Sequence, residues 1–122
     1  MDWCVDFHAD FIPEFTGLSL PVREEVGSLV SVLRIHGPLL KRPLCDTLVG
    51  SKYANMKELR FDADGGVWRV AFAFDPQRRA ILLVAGDKSG VSQRRFYQTL
   101  ITKADARFGN HLAFMKRKES LK

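Results

Sequence analysis

Residues 56–75, MKELRFDADGGVWRVAFAFD, constrain the fold more than any other stretch of the chain. Side chains alternate between the two faces of a β-strand, so the bulky apolar residues Trp68, Val70 and Phe72 share one face. The intervening segment 62–66, DADGG, is typical of a tight turn, because glycine accepts a positive φ without steric cost. The stretch therefore predicts a β-hairpin with one strongly apolar face.

The register of this hairpin places two arginines opposite each other. Pairing Phe61 with Trp68 keeps the apolar side chains together, and it sets Arg60 against Arg69 on the other face. Like charges directly opposed across a sheet are destabilising. Two interpretations are open: Glu58 forms an ordinary ion pair with Arg69, or the two arginines bind an anion.

The surroundings of the arginine pair favour the anion. Because the apolar face with Trp68 must be covered, we expect the helices on that face and the arginines on the uncovered one. Ala71 and Ala73 are small and would leave room beside the pair. The pattern therefore predicts a shallow, positively charged site for a phosphate or a carboxylate.

Alternation and helical spacing mark the elements before the hairpin. Residues 3–8 predict a half-buried strand, followed by a short connection with about one helical turn. Ser19 predicts the start of a helix that ends at the HGP of residues 36–38. Residues 39–56 have a weak pattern, which we interpret as an irregular segment with a helical turn near 44–48.

The elements after the hairpin complete the prediction of the fold. Residues 81–85 are apolar on both faces, which is typical of a central strand. A long helix begins near Ser92, and the basic tail, 116–122, is expected to fray. The order of elements predicts an α+β fold: a compact antiparallel sheet, formed by a meander plus an N-terminal strand, flanked by helices.

Composition bounds the class of protein. With 122 residues, 46% of them hydrophobic, the chain is expected to form a single domain over 1–122. It has neither a signal peptide nor an apolar run of about 18 residues, so we expect a cytoplasmic protein without membrane contact. The net charge of +5 favours an acidic partner such as RNA, DNA or an acidic protein segment.

The two cysteines, Cys4 and Cys45, are far apart in the sequence. Whether they form a disulfide is open, and reduced thiols are favoured.

Three polar residues near the hairpin have both a structural and a functional interpretation. Lys57 begins the first hairpin strand but points to the opposite face, so it is either a solvated lysine or one that reaches around an edge of the sheet. Lys88 lies in GDKSG, which is either an ordinary polar turn or a functional loop held by a rigid scaffold. Tyr97 lies in the first turns of the last helix. It is either a core residue or a hydroxyl at the rim of a basic site, where it can donate or accept a proton.

Basic residues also recur on one side of the last helix. Arg94, Arg95, Lys103 and Arg107 fall on the side opposite its apolar residues. They form either a solvated helix face or a surface that contacts an anionic partner at long range.

A resemblance to a known family is carried by two stretches, MKELRFDADGGVWRVAFAFDPQRRAILLVAGDKSG and RRFYQTLITKADARFGNHL. They resemble the HigB-type toxins of bacterial type II toxin–antitoxin modules, a branch of the RelE/ParE superfamily. The pieces that carry the resemblance are KELR, the strand with W-R, the apolar strand ending in GDK, and FY…KAD…HL on the last helix. The resemblance extends from Trp3 to about Leu112.

The resemblance implies a fold, an activity and partners. The fold is a RelE-like antiparallel sheet flanked by helices, and the activity is cleavage of mRNA at the ribosome, without a metal ion or a small-molecule cofactor. The implied partner is a cognate helix-turn-helix antitoxin, HigA-like. The superfamily also includes members that poison DNA gyrase, so a non-enzymatic gyrase inhibitor and a basic RNA-binding module are the alternative functions.

The resemblance also assigns roles to residues. Cleavage requires a base for the RNA 2′-hydroxyl, an acid for the leaving 5′-oxygen and cations for the charge on the phosphorane. The arginines can stabilise the charge on the phosphorane. A lysine can supply positive charge or transfer a proton, and the tyrosine can donate a proton or orient the reacting groups. The catalytic residues implied in this way are Arg60, Arg69, Lys88 and Tyr97. The residues expected to bind RNA are Lys57, Arg94 and Arg95. No residue near the arginines is an obvious base.

Overall fold

The computed structural model describes residues 2–121, which form one five-stranded sheet with helices on both of its faces. The strands are β1 (Cys4–Phe7), β2 (Cys45–Thr47), β3 (Met56–Ala63), β4 (Gly66–Phe74) and β5 (Arg79–Asp87). The helices are α1 (Phe11–Thr16), α2 (Leu20–His36) and α3 (Gln93–Ser120), with a 3-10 turn at Gly37–Leu39. No helix within the described residues is long and apolar enough to cross a membrane.

The strand order in the sheet is β1-β5-β4-β3-β2. Strands β3, β4 and β5 form the predicted antiparallel meander, and the N-terminal strand joins it as predicted. However, β1 runs parallel to β5, with Cys4 opposite Arg79 and Phe7 opposite Leu82, so the sheet is mixed. Both β1 and β2 are edge strands.

The prediction of a helical turn near residues 44–48 is wrong. Residues 45–47 form β2 instead, which pairs with β3 and places Cys45 opposite Leu59. A three-residue strand is too short for alternation to be recognised in the sequence, and it exists because β3 offers an edge to pair with. The Cys45 thiol is buried here, which raises its pKa to about 11, and both cysteines are free.

The predicted hairpin register is confirmed. Phe61 lies opposite Trp68 and Arg60 lies opposite Arg69. The turn between β3 and β4 contains Asp64 and Gly65, with φ of 52° and 75°. Glycine suits such a position, and a short polar side chain tolerates it.

The face that carries the apolar hairpin residues packs against α1 and α2, as predicted. Its buried residues form one cluster with the inner side chains of those helices. The cluster includes Phe11, Val22, Val26, Leu29, Leu33, Leu59, Phe61, Val70, Phe72 and Leu82.

The expectation that the opposite face is uncovered is wrong, because α3 packs across it. Ala71 and Ala73 are fully buried there. They lie in a second cluster with Leu48, Met56, Ile81, Leu83, Phe96, Leu100, Ala104 and Phe108. The space beside these small alanine side chains is therefore filled by α3 and not by a ligand. A groove lies next to the part of this face beside the first turns of α3, where the arginines lie.

The ends of the helices agree only in part with the predictions. Helix α2 ends at His36, followed by Gly37 with a φ of 54°, as the HGP segment predicted. Helix α3 continues to Ser120, so most of the basic tail that begins at residue 116 is helical. Its expected fraying stays a prediction. Lys122 lies outside the described residues.

Candidate functional site

A groove of about 760 Å³ lies between the edge strand β2, strand β3 and the first turns of α3. Its walls are rich in basic and polar side chains, with an apolar part formed by Leu48, Val49 and Ile101. The other residues that line it are Arg42, Thr47, Gly50, Glu58, Arg60, Lys88, Gln93, Arg94, Tyr97, Gln98 and Thr102. Four of these are cations and one is an anion, so the groove favours a negatively charged ligand.

The single anion of the groove, Glu58, is almost completely buried, with 3% of its surface exposed. Its Oε2 accepts a hydrogen bond of 2.9 Å from Nη1 of Arg60. Its Oε1 accepts one of 2.8 Å from the hydroxyl of Tyr97 and lies 3.7 Å from Nε of Arg69. The carboxylate therefore lies between the two opposed arginines and compensates the like charges of the hairpin.

The two arginines differ in their access to the groove. The side chain of Arg60 is 19% exposed and lines the groove, whereas that of Arg69 is 6% exposed and lies behind Glu58. Arg69 donates from Nη1 to the carbonyl of Trp68 at 2.8 Å and from Nε to the hydroxyl of Tyr97 at 3.4 Å. Arg60 can therefore contact a ligand directly, and Arg69 acts on the groove through Glu58 and Tyr97.

The environment of Tyr97 keeps its hydroxyl protonated. Burial and the hydrogen bond to Glu58 raise the pKa of Tyr97 above its ordinary value, against the hydrogen bond from Arg69, which lowers it. At neutral pH the phenol is therefore a hydrogen-bond donor, and it aims its proton at Oε1 of Glu58.

Local sequence explains how these side chains meet. Glu58 and Arg60 are two residues apart on β3, so they share a face. The start of α3 is set by Ser92, whose side chain accepts a hydrogen bond of 3.2 Å from the amide of Arg95. A side chain at Gly86 would meet Phe96 at 2.9 Å, so glycine at this position lets the first turns of α3 approach β5 closely.

The structure gathers some of the predicted site residues and separates others. Arg60, Lys88, Arg94 and Tyr97 all line the groove. Arg69 lies directly behind it. Their roles in catalysis or RNA binding stay predictions.

Two residues predicted to bind RNA do not line the groove. Lys57 lies opposite Phe72, on the face that packs against α2. Arg95 lies on another side of α3, next to a separate small pocket. Arg107, which was grouped with Arg95 on a solvated helix face, is buried and pairs with Glu14 in α1 and with the carbonyl of Leu83.

Sequence reasoning missed two parts of the groove. Glu58 was considered only as an ordinary ion-pair partner, although its place on the same face as Arg60 was readable from alternation. Arg42 lines the groove because β2 adds to the sheet, and it forms an ion pair of 2.8 Å with Asp46. No signal in the sequence pointed to Arg42, since the segment that carries it had no recognisable pattern.

Comparison with known proteins shows which family this chain belongs to. A family model described as "Phage derived protein Gp49-like (DUF891)" matches residues 13–109. The chain belongs to this family. Among the relatives of this Gp49-like chain are two proteins of Mycobacterium tuberculosis (strain ATCC 25618 / H37Rv), named "Putative toxin HigB2" and "Putative toxin HigB3". The predicted kinship with HigB-type toxins is thereby confirmed.

The extent of the similarity differs between these relatives. The Gp49-like chain is 45% identical to the HigB2 protein over 98 residues, which are 80% of this chain and 48% of that protein. It is 42% identical to the HigB3 protein over 99 residues, 81% of this chain and 84% of that one. The chain thus spans about half the length of the first relative and most of the second.

A solved structure shows the same fold. A double mutant of the E. coli toxin RelE in the free state aligns with the Gp49-like chain at a TM-score of 0.57 and 13% identity, covering 84% of this chain and 97% of that one. At this identity the likeness concerns the fold alone. It confirms the predicted RelE-like α+β architecture.

Proposed function

We propose that this HigB-type toxin is an endoribonuclease that cuts mRNA on the ribosome and so inhibits translation. The observation that carries the proposal is the Glu58 carboxylate, held by Tyr97 and two arginines beside a groove lined with four cations. A general base, a phosphate-binding guanidinium and a polyanion-binding surface are the parts that RNA cleavage needs.

The reaction proposed is attack of an RNA 2′-hydroxyl on its own 3′-phosphate. The 2′-oxygen forms a bond to phosphorus while the bond from phosphorus to the 5′-oxygen of the next nucleotide breaks. One proton leaves the 2′-hydroxyl and one reaches the 5′-oxygen, so the products are a 2′,3′-cyclic phosphate and a 5′-hydroxyl. The protein must accept the first proton, supply the second and stabilise the charge between the two steps.

Glu58 is the base in this proposal. Glu58 is one of the residues that line the groove. Arg60, 2.9 Å from its Oε2, is placed to contact the phosphate whose neighbouring hydroxyl Glu58 deprotonates. Planar guanidinium groups match the equatorial oxygens of a phosphorane and carry the charge without a metal ion.

Tyr97 and Arg69 position the base. The Tyr97 hydroxyl donates to Oε1 of Glu58 and accepts from Arg69, so the carboxylate is held in one orientation. The buried guanidinium of Arg69 lies with its Nε 3.7 Å from Oε1 of Glu58 and so adds a second cation beside the carboxylate. Lys88, which lines the same groove, is assigned to supply the proton to the leaving 5′-oxygen.

The other cations of the groove are assigned to the RNA strand. Arg94 and Arg42 lie in the walls beside Arg60 and would contact phosphates on either side of the cleaved bond. Such contacts make the affinity for RNA fall as the salt concentration rises.

The proposal includes a partner and a location. A toxin of a toxin–antitoxin module implies an antitoxin, which we propose is a helix-turn-helix protein encoded beside the toxin. Because the substrate is mRNA on the ribosome, the proposed place of action is the cytoplasm. The chain is proposed to act as a single domain.

The proposal is tested by mapping RNA 5′-ends in a translating extract with and without the purified toxin. Wild-type toxin should create new ends within coding regions, and Arg60→Ala should abolish them. Arg34→Ala is the matched control, since Arg34 lies on α2 with 55% of its side chain exposed and pairs with Asp2 at a distance of 3.9 Å. Circular dichroism of each variant shows that it is folded.

Three outcomes contradict the proposal. If Arg60→Ala cuts like wild type, the assigned mechanism is wrong. If wild type leaves mRNA intact but inhibits supercoiling by gyrase, the protein is a gyrase inhibitor. If it binds RNA with a steep salt dependence and cuts none, it is an RNA-binding module.

A further inference from the structure

A second groove, of about 840 Å³, lies at the edge of the sheet where β1 meets the start of α1 and the last turns of α3. His111 on α3 is one of the residues that line it. His111 lies fourteen residues beyond Tyr97 on the same helix, which is about 21 Å along the helix axis. The second groove is therefore separate from the groove beside Glu58, and it is large enough to enclose a small molecule.

Two large apolar side chains of the second groove are open to solvent. Ile12 on α1 is 49% exposed and Phe114 on α3 is 55% exposed, and both line the groove. An exposed aromatic side chain is a surface on which a planar heterocycle can stack. This part of the groove therefore suits a flat, largely apolar ring.

The polar side chain of His111 is held in a fixed position beside them. Its Nε2 lies 2.9 Å from Oδ2 of Asp75, whose side chain is completely buried. Burial would raise the pKa of Asp75, but hydrogen bonds from His111 and from the amide of Arg79 outweigh it and lower that pKa, so the carboxylate can only accept. Nε2 of His111 therefore carries a proton, and Nδ1 of the neutral ring is left as a hydrogen-bond acceptor.

The charges of the second groove balance one another. Its carboxylates are those of Asp6 and Glu119, and its cations are those of Arg79 and Lys118. Asp6 lies 3.4 Å from Arg79, yet 53% of its side chain is exposed, so its carboxylate can accept further hydrogen bonds. Equal numbers of the two signs give a polyanion no preference for this groove, unlike the groove beside Glu58.

We propose that the second groove binds a ribonucleotide. The base would lie between Ile12 and Phe114 and would present its edge to Asn110 and His111, which line the same groove. A carboxamide offers both a donor and an acceptor, and Nδ1 of His111 would accept from an amino group of the base. The inference goes beyond the proposed function, because it assigns a site that takes no part in RNA cleavage.

The sugar and the phosphate account for the charged residues. The two ribose hydroxyls would donate to the exposed carboxylate of Asp6, and the phosphate would meet Lys118. Lys118 follows Phe114 by one turn of α3, about 6 Å along the axis, which is within the reach of one nucleotide from its base to its 5′-phosphate. A ribonucleotide thus has a partner for each of its three parts.

Simpler ligands would leave part of the second groove unused. Inorganic phosphate would contact its cations alone, and a hydrocarbon would contact only the apolar residues. Within an RNA strand the 3′-hydroxyl is esterified, so a free nucleotide or the last nucleotide at a 3′ end is needed to offer both hydroxyls to Asp6. The shared chemistry of these two sources is a ribonucleotide with a free 2′,3′-diol.

Nuclear magnetic resonance of the full toxin tests the inference. The 5′-monophosphates of adenosine, cytidine and guanosine, each with an amino group on its base, are titrated against the backbone amides. At least one of them should shift the amides of Asn110, His111 and Phe114 in a saturable manner. If none of the three does so, the inference is overturned.

Truncated ligands show whether all three parts of the nucleotide are recognised. The 2′-deoxy form of the nucleotide that binds should bind ~10-fold more weakly, because it loses a hydrogen bond to a charged carboxylate. Ribose 5-phosphate and inorganic phosphate should give no saturable shift at the same amides. Binding of either one as tightly as the nucleotide would reduce the groove to a plain anion site and overturn the inference.

A pair of truncated side chains tests the place of the base. Phe114→Ala should weaken binding of the nucleotide by ~10-fold, because it removes the ring on which the base stacks. Ile35→Ala is the matched control, since Ile35 is an apolar helix residue that is 66% exposed and lines neither groove. Equal affinities of the two variants, each folded by circular dichroism, would mean that the base does not bind at Phe114 and that the inference is wrong.

Two RNA oligonucleotides distinguish the sources of the ligand. An oligonucleotide with a free 3′-diol that shifts these amides at lower concentrations than the free nucleotide supports the inference and assigns the ligand to an RNA end. The same oligonucleotide with a 3′-phosphate should fail to do so, and equal binding by both overturns the inference. These measurements involve no strand cleavage, so their outcome is independent of the proposed enzymatic function.

Discussion

Glu58 and Asp75 are two buried carboxylates that the same sheet holds in different ways. They are 3% and 4% exposed, and each pairs with arginine. Asp75 accepts hydrogen bonds of 2.9 Å from the amides of Gln77 and Arg79, besides its contacts with the side chains of Arg79 and His111. Within the described residues, the partners of Glu58 are side chains only: Arg60, Arg69 and Tyr97.

Under the proposed function, this difference separates a structural carboxylate, Asp75, from the one assigned as the base, Glu58. Backbone amides at the turn between β4 and β5 hold Asp75, and these cannot move away without unfolding the turn. Two of the side chains that hold Glu58, those of Arg60 and Tyr97, instead line the groove, where a ligand would meet them. Burial and an arginine partner are therefore not enough to mark a catalytic acid or base; the kind of donor and the access to a groove decide.

The largest expected effect that separates the two carboxylates is on RNA cleavage. Glu58→Gln keeps the shape of the side chain and removes its basicity, so the rate of cleavage should fall by about 10²-fold to 10⁴-fold. RNA ends mapped in a translating extract give the rate.

Asp75→Asn is the control for that substitution, because it makes the same chemical change at the other buried carboxylate. Per folded molecule, this variant should cut RNA at the wild-type rate. Equal rates for Glu58→Gln and wild type would mean that Glu58, like Asp75, has a structural role alone.

A smaller effect is expected from Tyr97→Phe. This change removes the hydroxyl that donates to Glu58 at 2.8 Å and leaves the base and both arginines in place. Losing a hydrogen bond to a charged group costs about 1.5–3 kcal/mol, so cleavage should slow by roughly 10-fold to 100-fold. The same assay measures it, and a drop as large as that of Glu58→Gln would instead make Tyr97 an essential proton carrier.

For Asp75 the expected effect is on stability. Asp75→Asn weakens the contacts with Arg79 and His111, which should lower the free energy of unfolding by about 1–3 kcal/mol. Urea denaturation followed by circular dichroism measures this change. An unchanged midpoint would show that the turn between β4 and β5 does not depend on the charge of this carboxylate.

The smallest expected effect is a pH dependence of stability. Burial on its own would raise the pKa of Asp75, but the hydrogen bonds from His111, Arg79 and Gln77 and the charge of Arg79 outweigh it and lower that pKa. A lowered pKa in the folded state contributes stability above the unfolded value of about 3.9, and this stability is lost as the pH falls through the folded pKa.

That dependence can be read from unfolding midpoints measured at a series of pH values below 5. Wild type should lose stability more steeply than Asp75→Asn, which has no carboxyl group to titrate at this position. Parallel curves for the two proteins would contradict the assigned pKa shift.

The sequence predicted the features that depend on residues close together along the chain and missed those that depend on residues far apart. The register of the hairpin, and with it the opposition of Arg60 and Arg69, followed from alternation alone and is confirmed. Strand β2 was missed because its three residues pair with residues ten to fourteen positions further along the chain. The burial of Arg107 was missed because its partners lie on α1 and β5, far along the chain.

The same distinction between local and long-range interactions applies to the candidate site. Alternation by itself determined that Glu58, Arg60 and Arg69 share a face, because successive side chains of a strand point to opposite sides of the sheet. Only the tertiary structure decided that α3 covers this face and brings Tyr97 to Glu58. Both faces of the sheet carry apolar residues, so the choice between them depends on how the helices pack together, and that is a property of the whole chain.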